Sequence, residues 1–112
     1  MKIAFTTKGI YWESVMDSRF GRTEYILVYD DETKELTNFD NRSISNEAHG
    51  AGPKTAQKLY ELGPDILITG NGPGGNDASV IQQTGIKVFI GASEMSVKEA
   101  YEQFKLGKLT KF

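Results

Sequence analysis

Apolar residues fall into short runs separated by polar, glycine-rich stretches, and the spacing inside each run assigns the elements. Lys2-Ile3-Ala4-Phe5-Thr6 and Glu24-Tyr25-Ile26-Leu27-Val28-Tyr29 are compact and rich in β-branched and aromatic residues, which predicts two buried strands. Glu35-Leu36-Thr37-Asn38-Phe39 alternates polar with apolar, the pattern of a half-exposed edge strand, and the polar turn Asp30 to Lys34 joins it to its predecessor as a hairpin. Residues 40 to 51 are polar and read as loop. Gly52-Pro53 then opens a helix whose stripe of Ala56, Leu59, Tyr60 and, less regularly, Leu62 ends at Gly63-Pro64.

Asp65-Ile66-Leu67-Ile68-Thr69 and Ile86-Lys87-Val88-Phe89-Ile90 predict two parallel strands joined through a short helix from about Asp77 to Thr84. Ser96-Val97-Lys98-Glu99 is a capping box, and Val97, Ala100, Tyr101 and Phe104 line one face of a last helix that stops at Gly107. The tail from Lys108 to Phe112 is compatible with either a pinned or a frayed segment. The order β-β-β-α-β-α-β-α predicts an α/β fold in which a five-stranded mixed sheet, with its second strand antiparallel, carries helices on both faces. Strands one, three, four and five then run one way, and the loops after them emerge at the carboxyl edge, where open α/β sheets bind ligands. Arg19 and Arg22, the loops at residues 49–53 and 70–76, and Gly91-Ala92-Ser93 are expected to face one crevice there, while the turn at residues 31–34 falls on the opposite edge.

Composition narrows what such a crevice holds. The 112 residues, 38% apolar and 25% charged, suit one domain spanning residues 1–112. Met1-Lys2 runs straight into the first strand without the apolar stretch of a secretory signal, and no window approaches the ~18 apolar residues of a membrane span, so a cytoplasmic protein with no membrane contact is expected. The absence of cysteine excludes disulfides, zinc ribbons and thiolate-held iron–sulfur clusters, and the net charge of -2 argues against nucleic acid as a partner.

Asp17-Ser18-Arg19-Phe20-Gly21-Arg22 places two guanidiniums either side of a Phe-Gly turn, and each offers a planar fork of donors suited to carboxylate or phosphate oxygens. The competing reading has Phe20 anchoring the loop in the core while the arginines pair with Asp17, Glu13 or Glu24. Gly50-Ala51-Gly52-Pro53 sets small residues at a helix N-terminus, where free N–H groups favour an anion, although capping alone also explains them. His49 beside it is the sole histidine and the best soft-metal donor in the chain; as a surface loop residue it is equally compatible with a carbonyl partner. Gly70-Asn71-Gly72-Pro73-Gly74-Gly75-Asn76 lacks the Lys-Ser/Thr ending of a phosphate-binding loop but permits close backbone approach to a ligand. Met16 and Met95 read as packing filler. No Ser-His-Asp or Cys-His set and no paired carboxylates are signalled; Asp17 would serve as a base only if desolvated.

Read in order, Asp17 to Arg22, His49-Gly50-Ala51-Gly52-Pro53, Gly70-Asn71-Gly72-Pro73 and Gly85-Ile86-Lys87-Val88 resemble the dinitrogenase iron-molybdenum cofactor biosynthesis family, which includes NifX-like and NafY-like carriers and the C-terminal domain of NifB-like proteins. The resemblance covers nearly the whole chain. It implies a three-layer α/β/α, ribonuclease-H-like arrangement. It also implies binding of an anionic iron–sulfur or iron-molybdenum cluster or precursor, with Arg19, Phe20, Gly21, Arg22, His49, Gly50, Gly52, Gly70, Asn71 and Gly72 as the matching positions and His49 as the metal donor. The expected role is carriage of the cluster, or of a related small anion, to or from a partner protein, with no chemistry of the carrier's own and no metal retained through aerobic purification. An enzyme acting on a phosphorylated or carboxylated small molecule at the same edge is the alternative. A nuclease version would need inward carboxylates, which strand positions such as Ala4, Ile26 and Ile68 do not supply. An interaction module using the edge strand at residues 35–39 is a third.

Overall fold

The sheet is built outward from β1 (Lys2–Thr7), whose Ile3, Ala4 and Phe5 are wholly buried because strands flank them and side chains cover both faces. In the computed structural model, which describes residues 1–112 apart from the side chain of Asn76, β1 pairs antiparallel with β2 (Tyr25–Asp30) and parallel with β4 (Ile66–Ile68). β2 pairs antiparallel with β3 (Glu35–Asp40) across the 31–34 turn, where Asp30 Oδ1 accepts from the Glu32 N–H at 2.9 Å. β5 (Lys87–Ile90) lies parallel to β4, giving the order β3-β2-β1-β4-β5 as far as the sequence reading extends.

The sheet has six strands rather than five. The tail residues form β6 (Thr110–Lys111), antiparallel to β5, and the Phe112 N–H donates to the Val88 carbonyl at 2.8 Å. The tail is therefore pinned. Two residues of strand carry no periodicity that a sequence pattern can register, and only the free edge of β5 recruits them. The predicted loop at residues 40–51 likewise contains one short helix, α1 (Arg42–Ser45), and the next, α2 (Ala51–Leu62), begins one residue before the Gly52-Pro53 signal. α3 (Gly75–Gln83) starts two residues ahead of Asp77, and α4 (Val97–Lys105) opens with the expected Ser96/Glu99 capping box.

Alternation along the strands divides the core between the two faces. Ala4, Ile26, Val28 and Leu67 point toward Ala56 and Leu59 of α2 and Ile81 of α3. Ile3, Phe5, Leu27 and Ile68 point toward Val97 and Ala100 of α4 and toward Met16. The 8–16 loop closes this second face: Trp12 lies 4.9 Å from Tyr29 and 5.5 Å from Tyr101, ring centre to ring centre. Met16 and the partly buried Met95 both pack in this cluster as filler.

At the junction of β3 and α1, Arg42 donates from Nη2 to Asp40 Oδ2 at 2.7 Å and from its backbone N–H to Oδ1 at 3.0 Å. The Arg42 side chain, helped by that N–H, holds the Asp40 carboxyl down to about 2 from its ordinary 3.8. A depressed carboxyl stabilises the fold above its ordinary value and loses that contribution as pH falls toward the folded value. Chemical denaturation at about pH 5 and about pH 2 should therefore show a smaller acid loss in Asp40→Asn than in the parent, and equal losses would show that the pair adds nothing.

With β1, β3, β4 and β5 running one way, the segments that follow them gather at one edge of the sheet.

Candidate functional site

The loop between β1 and β2 is closed from within by a carboxylate. Asp17 has no exposed surface; its Oδ1 accepts from the Arg19 N–H and Nε at 3.1 Å each, and its Oδ2 accepts from Arg19 Nη2 at 3.1 Å and the Glu24 N–H at 3.2 Å. With both oxygens engaged twice, Asp17 shapes the loop and presents no free lone pair as a base. Phe20 places its ring in the first-face core, 2% exposed, as the anchoring reading expects.

Beneath the loop lies a layer of buried polar side chains that the sequence reading passed over. Thr6 Oγ1 donates to the Asp17 carbonyl at 2.9 Å and meets Thr69 Oγ1 at 2.7 Å, while Thr55 of α2 donates to the Gly21 carbonyl at 2.7 Å. Asn41 Nδ2 reaches Thr55 Oγ1 and the Thr23 carbonyl, each at 3.0 Å. The available signal was a threonine closing the carboxyl end of an apolar strand, as at Thr6-Thr7 and Thr69, where a hydroxyl can satisfy loop backbone that a valine cannot.

This support carries a cleft of about 570 Å³, open to solvent and bounded by Ser18 to Arg22, by Ala48 to Gly52, and by Asn71 and Gly72. Nine of the ten positions matched by resemblance border it. The exception, Gly70, is buried; a Cβ there would run into Ser18 Cα and Ser93 Oγ, so its glycine serves loop-to-loop packing. The segment 91–93 also departs from expectation: Ala92 is buried, and Ser93 borders a neighbouring depression with Lys8 and Glu94. From the 70–76 loop only Asn71 and Gly72 reach the cleft; Pro73 is buried and the Asn76 side chain lies outside the described residues. Gly21 and Gly52 touch backbone to backbone across the floor, since a Cβ on Gly21 would stand 2.9 Å from Gly52 Cα.

The two arginines differ electrically. Arg19 is charge-balanced by Asp17, whose hydrogen bonds raise its already high pKa, yet its side chain remains 54% exposed. Arg22 meets no carboxylate among the described residues; its Nη1 donates to the Ser45 and Glu47 carbonyls at 2.7 and 2.9 Å. The cleft therefore carries one uncompensated guanidinium. α2 begins beside it with Gly50 in the left-handed conformation, φ 80°, and no side-chain cap, so the Ala51 and Gly52 N–H groups have no acceptor among the described residues. Pro53 adds no donor to this turn. Behind Gly52 stands Asp77, close enough that any Cβ on Gly52 would collide with its carboxylate, and burial raises its pKa. His49 is exposed on the cleft rim and makes no hydrogen bond among the described residues. Nowhere among those residues do three of His, Cys, Asp and Glu come together in a metal-holding set. What the cleft offers is positive charge, backbone donors and a single imidazole.

No helix among the described residues is long and apolar enough to cross a membrane. Among solved structures, the chain is similar to the apo form of the orange protein from Desulfovibrio gigas, at 32% identity and a TM-score of 0.92 over 99% of this chain and 92% of that one. It is also similar to a protein from Thermotoga described as a putative NifB protein of the DUF35 family, at 31% identity and a TM-score of 0.83 over 98% and 91% of the two chains. None of the curated proteins matches it. The family model described as dinitrogenase iron-molybdenum cofactor matches residues 1–107, and with two solved relatives above 30% identity over nearly the whole length, the chain belongs to that family.

Proposed function

We propose that this protein binds an anionic iron–sulfur or iron-molybdenum cluster, or a precursor of one, in the cleft between the Arg19/Arg22 loop and the start of α2, and passes it to a partner protein without chemistry of its own. The observation that carries this reading is the convergence of an uncompensated guanidinium, an uncapped helix start and the sole imidazole on one open cleft. Each element suits part of such a cargo: Arg22 its net charge, the Ala51 and Gly52 N–H groups its sulfide or carboxylate edge, His49 an exposed metal. An open cleft fits a cargo that must leave intact. Membership of the cofactor family and the likeness to a NifB-described protein support the same cargo class. The β3-β2-β1-β4-β5 portion of the sheet, with helices against both faces, is the part we read as ribonuclease-H-like. Among the described residues no carboxylate pair lines the cleft, and Asp17, the base that the hydrolytic reading names, has each oxygen already accepting two hydrogen bonds.

The test is anaerobic titration of the metal-free protein with isolated iron-molybdenum cofactor, followed by absorbance and metal analysis. Arg22→Ala should weaken binding about tenfold, equivalent to ~1.4 kcal/mol. Failure of the parent to bind the cofactor, or equal affinity in the variant, would overturn the reading.

A further inference from the structure

We infer that Arg22 is also a positioning residue, whose guanidinium clasps the segment that carries His49 and sets the imidazole at the cleft. This rests on the proposed cargo for its consequence, though not for its geometry. The segment from Asn46 to Gly50 has little else to hold it. α1, which precedes it, is four residues long and buries none of them, and Ala48, His49 and Gly50 are all exposed.

The restraint comes from two cations on opposite sides of Glu47. Arg22 Nη1 donates to the Glu47 carbonyl at 2.9 Å and to the Ser45 carbonyl, at the end of α1, at 2.7 Å. Lys54, in the first turn of α2, holds the Glu47 carboxylate, with Nζ 2.8 Å from Oε1 and 2.6 Å from Oε2. Glu47 is thus held by its backbone from the β1–β2 loop and by its side chain from α2, two residues before His49. Carbonyls at a helix end carry partial negative charge, and one guanidinium nitrogen, Nη1, donates to both of them. A lysine ammonium supplies the same charge from a stem one bond shorter, which ends short of the position Nη1 holds between the two carbonyls. The charge of Arg22 and its clasp are therefore separable by a single substitution.

Arg22→Lys in the full chain keeps the charge and withdraws the donor from the two carbonyls. Exchange of the Glu47 amide, which donates to the Ile44 carbonyl, should speed up about tenfold relative to the parent, with exchange in the sheet unchanged. Iron-molybdenum cofactor should bind the variant about threefold more weakly than the parent, a smaller loss than in Arg22→Ala, which gives up the charge as well as the clasp. Lys54→Gln, away from the cleft lining, should loosen the same amide from the other side and supplies an independent reading should Arg22→Lys perturb the fold. Unchanged exchange at the Glu47 amide in both variants overturns the clasp. Faster exchange there in a protein whose parent form takes up no cofactor upholds the clasp and removes the cargo reading instead.

Discussion

Replacing Asp17 by alanine is expected to destabilise the fold by about 3 kcal/mol, because a fully buried acceptor of four hydrogen bonds is removed and its donors stay behind. The ion pair with Arg19 is the smaller part of this. That guanidinium is 54% exposed and can turn to water, so its pairing contributes no more than about 1 kcal/mol. The larger part comes from the Arg19 and Glu24 N–H groups, held against a loop whose ring anchor and threonine layer keep it in place. Each loses a bond to a charged acceptor, worth roughly 1.5–3 kcal/mol. Asp17→Asn keeps one carbonyl oxygen and should cost less. Urea denaturation checks both, and a loss below about 1 kcal/mol for Asp17→Ala would show that the loop reorganises around the gap.

His49→Ala is expected to leave stability within about 0.5 kcal/mol of the parent, since an exposed rim residue without a hydrogen bond among the described residues packs against little. Affinity for isolated iron-molybdenum cofactor should nevertheless fall about 100-fold, close to 2.7 kcal/mol, if the imidazole coordinates a cluster metal. Added free imidazole should restore part of the lost binding in the variant and none in Arg22→Ala. Undiminished affinity in His49→Ala would return the residue to an ordinary place on the surface. Together the two substitutions separate a residue that builds the loop from one that the cleft presents.

The strands were legible because the apolar runs from Ile3 to Phe5, Ile26 to Val28 and Ile66 to Ile68 are short for helices and rich in β-branched and aromatic residues, as buried strands are. The capping box at Ser96 and the Gly-Pro signals around α2 marked helix ends for the same local reason. Local signals failed where structure depends on a neighbour. Thr110-Lys111 becomes strand only because β5 offers an edge, and the four residues of α1 bury no side chain that a periodic pattern would reveal.

At the cleft, sequence determined the inventory: two arginines around a Phe-Gly turn, one histidine, small residues at a helix start, no thiol. The expectation that these segments share an edge depended on strands pointing one way, which the pairings of β1, β3, β4 and β5 supply. Which arginine is spent and which is free was decided only by the tertiary fold, since Asp17 is two residues from Arg19 and five from Arg22, and the preference of one over the other depends on the turn that folds Arg19 back onto the carboxylate. The fold also decided that Gly70 packs rather than presents, that the 91–93 segment serves a different hollow, and that Arg22 grips a backbone 23 and 25 residues further along the chain. Residue types state what chemistry is available; hydrogen-bond partners far apart in sequence state which of it is already used, and no local pattern encodes those partners.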